Sequence, residues 1–312
     1  MTTYIIGHKK PDLDATVSAM AVASFRSLRG DSQNPVAVIA EPINPETEAV
    51  FKKFNLTPPQ VITSTDIKSG DKIILVDHNE TEQRLDGLNQ DQIIAIIDHH
   101  KVNLNLNTPI KITILPVGST CTIVYLKFKQ YNLPIEEGLA KLMLSGFLSD
   151  TVGLKSGTTT DKDRQAVDGL SKIAKIDDID GLTLEIFKAK SDISALSPEQ
   201  IVKNDYKIFD FAKKTYIGQL ETVEQDEVLI TRKDDLLDAM QQVKKAEGVD
   251  YLFLAITDVL KVNTKLLLLS DSEKELAQKA FNTTSIDQIL DIGPKLSRKK
   301  DIAPPIEKTL NG

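Results

Sequence analysis

The sequence predicts an α/β fold in two parts: an N-terminal domain with a mainly parallel sheet flanked by helices, and a smaller C-terminal α/β domain with a mixed sheet. Three observations carry this expectation. Short Ile/Val/Leu runs without alternation stop at polar clusters, as strands buried on both faces do. Stretches with helical apolar spacing separate those runs. A chain of 312 residues also exceeds the length over which a single core usually grows.

Residues 4–7 are apolar and lead into His8, Asp12 and Asp14, after which residues 15–28 have helical spacing, so the start reads strand, loop, helix. Residues 45–54 suit a further helix. The runs 73–76 and 93–97 end in Asp77 and Asp98, so three strands deliver acids and imidazoles at their carboxyl ends. Open α/β sheets bind ligands on that rim. Helical spacing returns at 119–130, 135–148 and 160–173, with Ser149, Asp150 and Thr151 following the second of these, and again at 179–190. SDISALSPEQ carries the Ser, Asp and Pro of a connection. The expected organisation is a domain at 1–190, a linker at 191–198 and a second domain at 199–312. That second domain offers strands at 207–212, 215–220, 251–257 and 262–269, with helices at 234–246 and 273–280.

Composition narrows the class of partner. Asp and Glu outnumber Lys and Arg 45 to 38, and a net charge of -7 disfavours non-specific attraction to nucleic acid or anionic membrane. The single cysteine, Cys121, excludes an internal disulfide, fits a reducing compartment and reads as a small core residue. No apolar run approaches the ~20 residues of a membrane span. The opening MTTYIIGHKKPD lacks a signal-peptide core. A cytoplasmic enzyme is the expectation.

All four histidines, His8, His78, His99 and His100, lie in three short segments: GHKKPDLDA from residue 7, VDHNE from residue 76 and DHH from residue 98. Imidazole and carboxylate together are a ligand set for divalent metals. His8, Asp12, Asp14, Asp77, Asp98, His99, His100 and Asp150 are more candidates than one ion uses, and two ions ~3.5–4 Å apart can hold both ends of a displaced phosphoryl group. In an extended loop Asp12 and Asp14 would face opposite ways and serve different metals, with Asp77 able to bridge. By the same reasoning one of His99 and His100 is a ligand and the other turns toward substrate.

Plainer readings exist for each segment alone. A polar loop with one His and two Asp is most often just exposed; His78 can simply orient a neighbouring carboxylate, and Asp150 can cap the next element. Asp98 reads as a hydrogen-bond partner of a ligating imidazole, and Asp161 and Asp163 as solvated surface. Three Asp/His clusters at strand ends outweigh these when taken together. Near the C-terminus, GPKLSRKKDIAPP places Ser297, Arg298, Lys299 and Lys300 in a loop flanked by prolines. Such a loop is either an exposed basic turn or a clamp for an anionic substrate.

GHKKPDLDA, VDHNE, DHH, SDT from residue 149 and SRKK from residue 297 occur in the order and spacing of one family. Across almost its full length the chain resembles the family II, manganese-dependent inorganic pyrophosphatases of the DHH phosphoesterase superfamily. DHH by itself would indicate only the superfamily; its combination with SRKK is specific. The resemblance implies hydrolysis of pyrophosphate to two orthophosphates by a hydroxide bridging two metals. It implies two Mn2+ per subunit, Co2+ as a substitute, and Mg2+ arriving with the substrate. One metal would be held by His8, Asp12 and Asp77, the second by Asp14, Asp77, His99 and Asp150. His100, Arg298, Lys299 and, in the weaker motif NDYKIF, Lys207 would contact substrate, so the catalytic set is Asp77, His100, Lys207, Arg298 and Lys299.

A homodimer through the N-terminal domain and closure of the C-terminal domain over substrate are further implications. The stretch LKSGTTT departs from the FKSPTTT-like pattern of the family without touching an assigned ligand. The length leaves no room for the inserted regulatory nucleotide-binding domains of some members. Two rivals remain. A DHH-type phosphodiesterase or exopolyphosphatase of the nuclease kind would carry a GGGH-like motif in its second domain, but residues 191–312 contain no His. A non-catalytic metal module would close its site with its own ligands, whereas a surplus of ligands and a cationic loop suit an open one.

Overall fold

Six parallel strands form the sheet of the first unit of the computed structural model, which describes residues 1–312. In chain order the elements are β1 (Thr3–Ile6), α1 (Leu13–Arg29), β2 (Pro35–Ile39), α2 (Pro45–Lys53), β3 (Gln60–Val61), β4 (Lys72–Val76), β5 (Ile93–Asp98) and β6 (Lys111–Ile114). Helices α3 (Thr120–Gln130), α4 (Glu137–Asp150), α5 (Asp161–Ala174) and α6 (Ile179–Lys190) follow. The strand order is β3-β2-β1-β4-β5-β6, every pair parallel, so the order reverses between β1 and β4. Carboxyl ends of strands beside such a reversal form the ligand crevice of open α/β sheets. His8 and Asp77 follow these two strands.

The apolar runs work as expected for strands covered on both faces: Ile5, Ile73, Ile74, Leu75, Val76 and Ile96 have no exposed surface. Burying each such side chain stabilises the fold by ~1.5–3 kcal/mol. Two glycines set close approaches. A Cβ on Gly7 would lie 2.8 Å from the Ala15 carbonyl oxygen, so only glycine lets the end of β1 meet the first turn of α1. On Gly146 it would lie 3.4 Å from the Asp14 Cα, which brings α4 against the start of α1 and carries Asp150 to the same place.

The chain divides into compact units at Met1–Lys190 and Ser191–Gly312. The second contains α7 (Pro198–Asn204), β7 (Tyr206–Asp210), β8 (Lys214–Thr222), α8 (Gln225–Thr231), α9 (Lys233–Glu247), β9 (Tyr251–Asp258), β10 (Asn263–Leu268), α10 (Asp271–Phe281), β11 (Ile289–Gly293) and α11 (Ala303–Asn311). Its five strands run β11-β10-β9-β8-β7, with β8 and β9 parallel and the other pairs antiparallel, a mixed sheet. One face packs Tyr216, Leu254 and Ile256 under Ile201, Leu236 and Met240 of α7 and α9. The other packs Ile217, Phe253 and Leu266 under Leu276 and Ile306 of α10 and α11.

Several local expectations need correction. Ser149 and Asp150 do not follow the fourth helix; they form its last turn. At the end of residues 191–198, Ser197 caps α7 in a capping box with Gln200, and Pro198 takes the first turn, where its missing N–H costs nothing. SRKK is not a loop. Ser297 accepts from the Lys300 N–H and starts a π-helical turn, Arg298–Ile302, that runs into α11, whose first turn holds Pro304 and Pro305. Prolines that read as loop punctuation are here helix starters. Asp163 is not solvated; it is fully buried.

Candidate metal centre

The rim of the first sheet gathers its acids through backbone geometry. Asp12 is the N-cap of α1, its Oδ1 accepting from the Ala15 N–H at 2.9 Å. Asp14 stands two residues further on in the first helical turn and is buried. Its carboxylate accepts from Ser119 Oγ at 2.7 Å, from the Thr120 N–H at 2.7 Å and from the Cys121 N–H at 3.1 Å. The N-terminus of α3 therefore holds the acid that the N-terminus of α1 projects. Asp77 has φ of 61°, the left-handed region that non-glycine residues avoid at a cost of ~1–3 kcal/mol, a strain that tends to mark functional sites. Its N–H donates to the Ile97 carbonyl at 3.0 Å and its Oδ1 accepts from Thr120 Oγ1 at 2.9 Å. Asp150 occupies the C-terminal turn of α4, where the helix dipole opposes a negative charge.

Two groups of donors result. His8 Nε2 lies 3.7 Å from Asp12 Oδ1 and 3.6 Å from Asp77 Oδ2. His99 Nε2 lies 3.4 Å from Asp77 Oδ1 and 3.3 Å from Asp150 Oδ2. The ligand atoms of His8, Asp12 and Asp77 fall within 4.8 Å of one another, as do those of Asp14, Asp77, His99 and Asp150. Only Asp77 belongs to both, with one oxygen facing each imidazole. Asp12 and Asp14 do separate into different groups, though by their places on a helix start rather than by extended-chain alternation. Asp77, His99 and His100 form a third close group.

Each imidazole is fixed from behind. His8 Nδ1 is 2.7 Å from the Lys9 carbonyl, and His99 Nδ1 is 3.0 Å from the Val117 carbonyl. A carbonyl only accepts, so Nδ1 carries the proton and Nε2 faces the carboxylates, the arrangement seen behind metal-bound imidazoles. The expectation that Asp98 backs a ligating imidazole needs refining. Asp98 Oδ1 takes His100 Nδ1 at 2.9 Å together with the N–H groups of His99 and His100, while Asn79 Nδ2 donates to Asp98 Oδ2 at 2.6 Å. His78 orients no carboxylate: its Nδ1 meets the Val76 carbonyl at 2.8 Å, and its buried Nε2 has no partner.

Burial and mutual proximity shift the titration of most of the cluster. Burial disfavours a charged His8, yet Asp12 and Asp77 outweigh it and hold its pKa at about 11. Burial opposes charge on His99 too, and Asp77, Asp14 and Asp150 raise it to about 10. Burial and the neighbouring Asp77 push Asp14 up to about 6. Burial, Asp14 and Asp77 lift Asp150 well above the usual carboxylate range. For Asp77 burial is overcome by His8 and His99, which hold its carboxyl below that range. Burial lowers His78 to about 4.

The donor set fits divalent ions. His99 Nε2 is buried without a hydrogen-bond partner although it faces two carboxylates. Asp12, Asp14, Asp77 and Asp150 would carry four negative charges when ionised, the charge that two divalent ions balance. Carboxylate oxygens suit Mn2+, and imidazole is a ligand across the first-row metals, so the set accommodates Mn2+.

Sequence reading missed the supports. Asp163 accepts from the Gly118 N–H at 2.9 Å, Thr122 Oγ1 at 2.7 Å, the Thr160 N–H at 2.6 Å and Thr160 Oγ1 at 2.7 Å, and so pins the segment that holds His99, Asp14 and Asp77. Glu46 is buried beside Ser149, which donates to it, with Lys190 3.6 Å away. Residues 156–160 of the LKSGTTT stretch line an open cavity together with His99, His100 and Asp150. The hydroxyl-rich runs GSTCT and SGTTT, each just before a helix, were the available signal.

In the second unit Lys207 lies exposed on β7, its Nζ 5.2 Å from the Phe209 ring centroid. Arg298 pairs with Asp205, two residues before Lys207, at 2.8 Å. Lys299 is exposed on the turn that follows Ser297.

A parallel sheet whose strand ends feed a cluster sharing one carboxylate, followed by a mixed-sheet unit, defines a two-part protein of the DHH class. The model described as the DHH family, N-terminal domain, matches residues 2–147, and the DHHA2 domain model matches residues 184–309. The manganese-dependent inorganic pyrophosphatase of Methanocaldococcus jannaschii is 39% identical, with 99% of each chain covered. That of Methanothrix thermoacetophila is 36% identical, with 97% of each chain covered. A crystal structure from Methanococcus jannaschii, assigned to family II inorganic pyrophosphatase, is 38% identical and superposes with a TM-score of 0.61 over 100% of each chain. The chain belongs to the manganese-dependent inorganic pyrophosphatase family. An exopolyphosphatase-related protein of Bacteroides fragilis, 16% identical with a TM-score of 0.51 over 99% of this chain and 92% of that one, shares the fold.

Proposed function

We propose that this chain hydrolyses inorganic pyrophosphate to two orthophosphates with two Mn2+ per subunit, Co2+ serving as a substitute and Mg2+ arriving on the substrate. The observation that supports it most is Asp77, whose two oxygens face His8 and His99 in donor groups that share no other residue. His8, Asp12 and Asp77 would hold one ion, and Asp14, Asp77, His99 and Asp150 the other. If bound there, the ions would supply water activated to attack at neutral pH and would offset charge on the phosphate oxygens.

The remaining work falls to side chains. The Lys9 and Val117 carbonyls keep His8 and His99 in one tautomer. Asp98 fixes His100 Nδ1 and raises its pKa, leaving Nε2–H to donate to a phosphate oxygen. Lys207, Arg298 and Lys299 would take up the charge that moves onto the leaving phosphate, the preorganised electrostatic role that dominates phosphoryl transfer. In this reading residues 1–190 are the metal-binding catalytic domain, 191–198 the linker and 199–312 the substrate-binding domain of a cytoplasmic homodimer joined through its N-terminal domains. Pyrophosphate is its partner, not nucleic acid or membrane; no helix is long and apolar enough to cross a bilayer.

Phosphate release from pyrophosphate by metal-stripped protein, with Mn2+, Co2+, Zn2+ and Mg2+ restored singly, tests the proposal. Mn2+ and Co2+ should restore turnover. Failure of every ion, or faster release from short polyphosphates, would reject it.

A further inference from the structure

Lys127, near the end of α3, is a half-buried ammonium that no carboxylate pairs. It borders a small cavity with Arg26 and Arg29 of α1, Lys111 and Thr113 of β6, and Tyr131. Lys111 and Thr113 stand in register with Ala95 and Ile97 of β5, and the short Ala95 side chain leaves space beside them. Four cations meet one acid here. Asp31 engages both guanidiniums, at 3.2 Å from Arg26 and 3.5 Å from Arg29, and Arg29 also lies 3.9 Å from the Tyr131 ring centroid. Lys127 has only the Thr113 hydroxyl, at 3.3 Å, and Arg26 Nε is buried with no hydrogen-bond partner. Burial, Lys111 and Arg26 push the Lys127 pKa down.

Arg26 and Lys127 are partly withdrawn from water while Arg29 and Lys111 reach it, and charges withdrawn from water are normally paired, so an unmatched buried donor and net positive charge around one cavity are a deficit that an anion fills. The geometry points to a binding site for a small inorganic oxyanion, of the orthophosphate or sulfate kind, formed by Arg26, Arg29, Lys111 and Lys127. Guanidinium forks and ammonium donors around one cavity match tetrahedral oxygens. The site is separate from the metal cluster. Helices α1 and α3 present Asp12, Asp14, Ser119 and Thr120 at their N-terminal ends and Arg26, Arg29 and Lys127 near their C-terminal ends. Asp12 to Arg26 spans ~21 Å along α1 at the helical rise.

Residue-resolved amine labelling of the metal-stripped full-length chain tests the site. Lysines are acylated to a limited extent in orthophosphate, in sulfate and in chloride at matched ionic strength, and mass spectrometry reads each position. Either oxyanion should slow labelling of Lys127 and Lys111 saturably, by about threefold at twice the dissociation constant. Lys129, exposed on the same helix, should label equally in all three salts. Arg26→Met should remove the protection. Protection no greater than in chloride, equal protection of Lys129, or protection surviving in Arg26→Met overturns the site. So does a Lys127 shielded without added anion and released on dilution, which would give the cavity to a carboxylate of a second copy of the chain.

Discussion

Replacing Asp163 separates the scaffold from the ligands it supports. Its carboxylate holds Gly118, Thr122 and Thr160 through four hydrogen bonds, three of them on Oδ2. The pinned segment provides the Val117 carbonyl behind His99, the Ser119 hydroxyl and Thr120 N–H on Asp14, and the Thr120 hydroxyl on Asp77. Asp163→Ala strands those four donors where the carboxylate had no exposed surface. Each stranded donor costs ~1–3 kcal/mol, water entry recovers part of it, and a net loss of about 3–5 kcal/mol is expected. Asp163→Asn keeps the shape, and with its amide oxygen in the Oδ2 position keeps three of the bonds without the charge, so about 1–2 kcal/mol is lost. Loosening groups behind metal ligands lowers affinity about 10–100-fold. Urea unfolding of the metal-free variants gives the first quantity, and Mn2+ calorimetry at a temperature where all are folded gives the second. If Asp163→Ala binds Mn2+ like the parent chain and unfolds at the same urea concentration, the segment holds itself and Asp163 is no support.

Metal stoichiometry separates the two donor groups: His8→Ala and His99→Ala should each reduce bound Mn2+ by about one ion per chain, and an unchanged count in either variant would reject its group. In the metal-free protein His8 and His99 have pKa values of about 11 and about 10, while a ligating imidazole must be neutral. Mn2+ binding near pH 7 should therefore release about two protons from these residues, and affinity should rise with pH. Calorimetry in buffers of different ionisation enthalpy counts the protons; none released would contradict the assignment. Stability of the metal-free form should run the other way. Folded pKa values raised above the unfolded value of about 6.5 give stability that is complete below that pH and lost as pH climbs through 10 to 11. Urea midpoints rising from pH 7 to 9 would refute it. Lys299→Ala should raise KM for pyrophosphate more than it lowers kcat, and steady-state kinetics with both values unchanged would remove it from the substrate site.

The histidine segments were legible because groups of imidazoles and carboxylates gather where strands end, and strand ends show in sequence as apolar runs stopping at polar residues. Asp12 and Asp14 fall in different donor groups, and the separation comes from an N-cap and a first helical turn rather than from extended-chain alternation. Asp163 was not legible. An acid three residues into a helix looks the same whether it faces water or reaches back to its own cap and across to Gly118. Asp98 reads from sequence as the hydrogen-bond partner of an imidazole and takes His100 Nδ1, whereas the partner behind His99, the Val117 carbonyl eighteen residues later, is not legible. Pro304 and Pro305 misled because proline starts helices as readily as it ends them.

By itself the sequence determined the α/β class, the strands that end at the site and the residue types gathered there, since apolar periodicity and strand-end punctuation are local properties of the chain. Only the tertiary structure decided which oxygen of Asp77 faces which imidazole, which carbonyl sets each tautomer, and which acids are buried close enough to raise one another's pKa. Those depend on distances between segments far apart in the chain, set by how helices α1, α3 and α4 pack over the sheet.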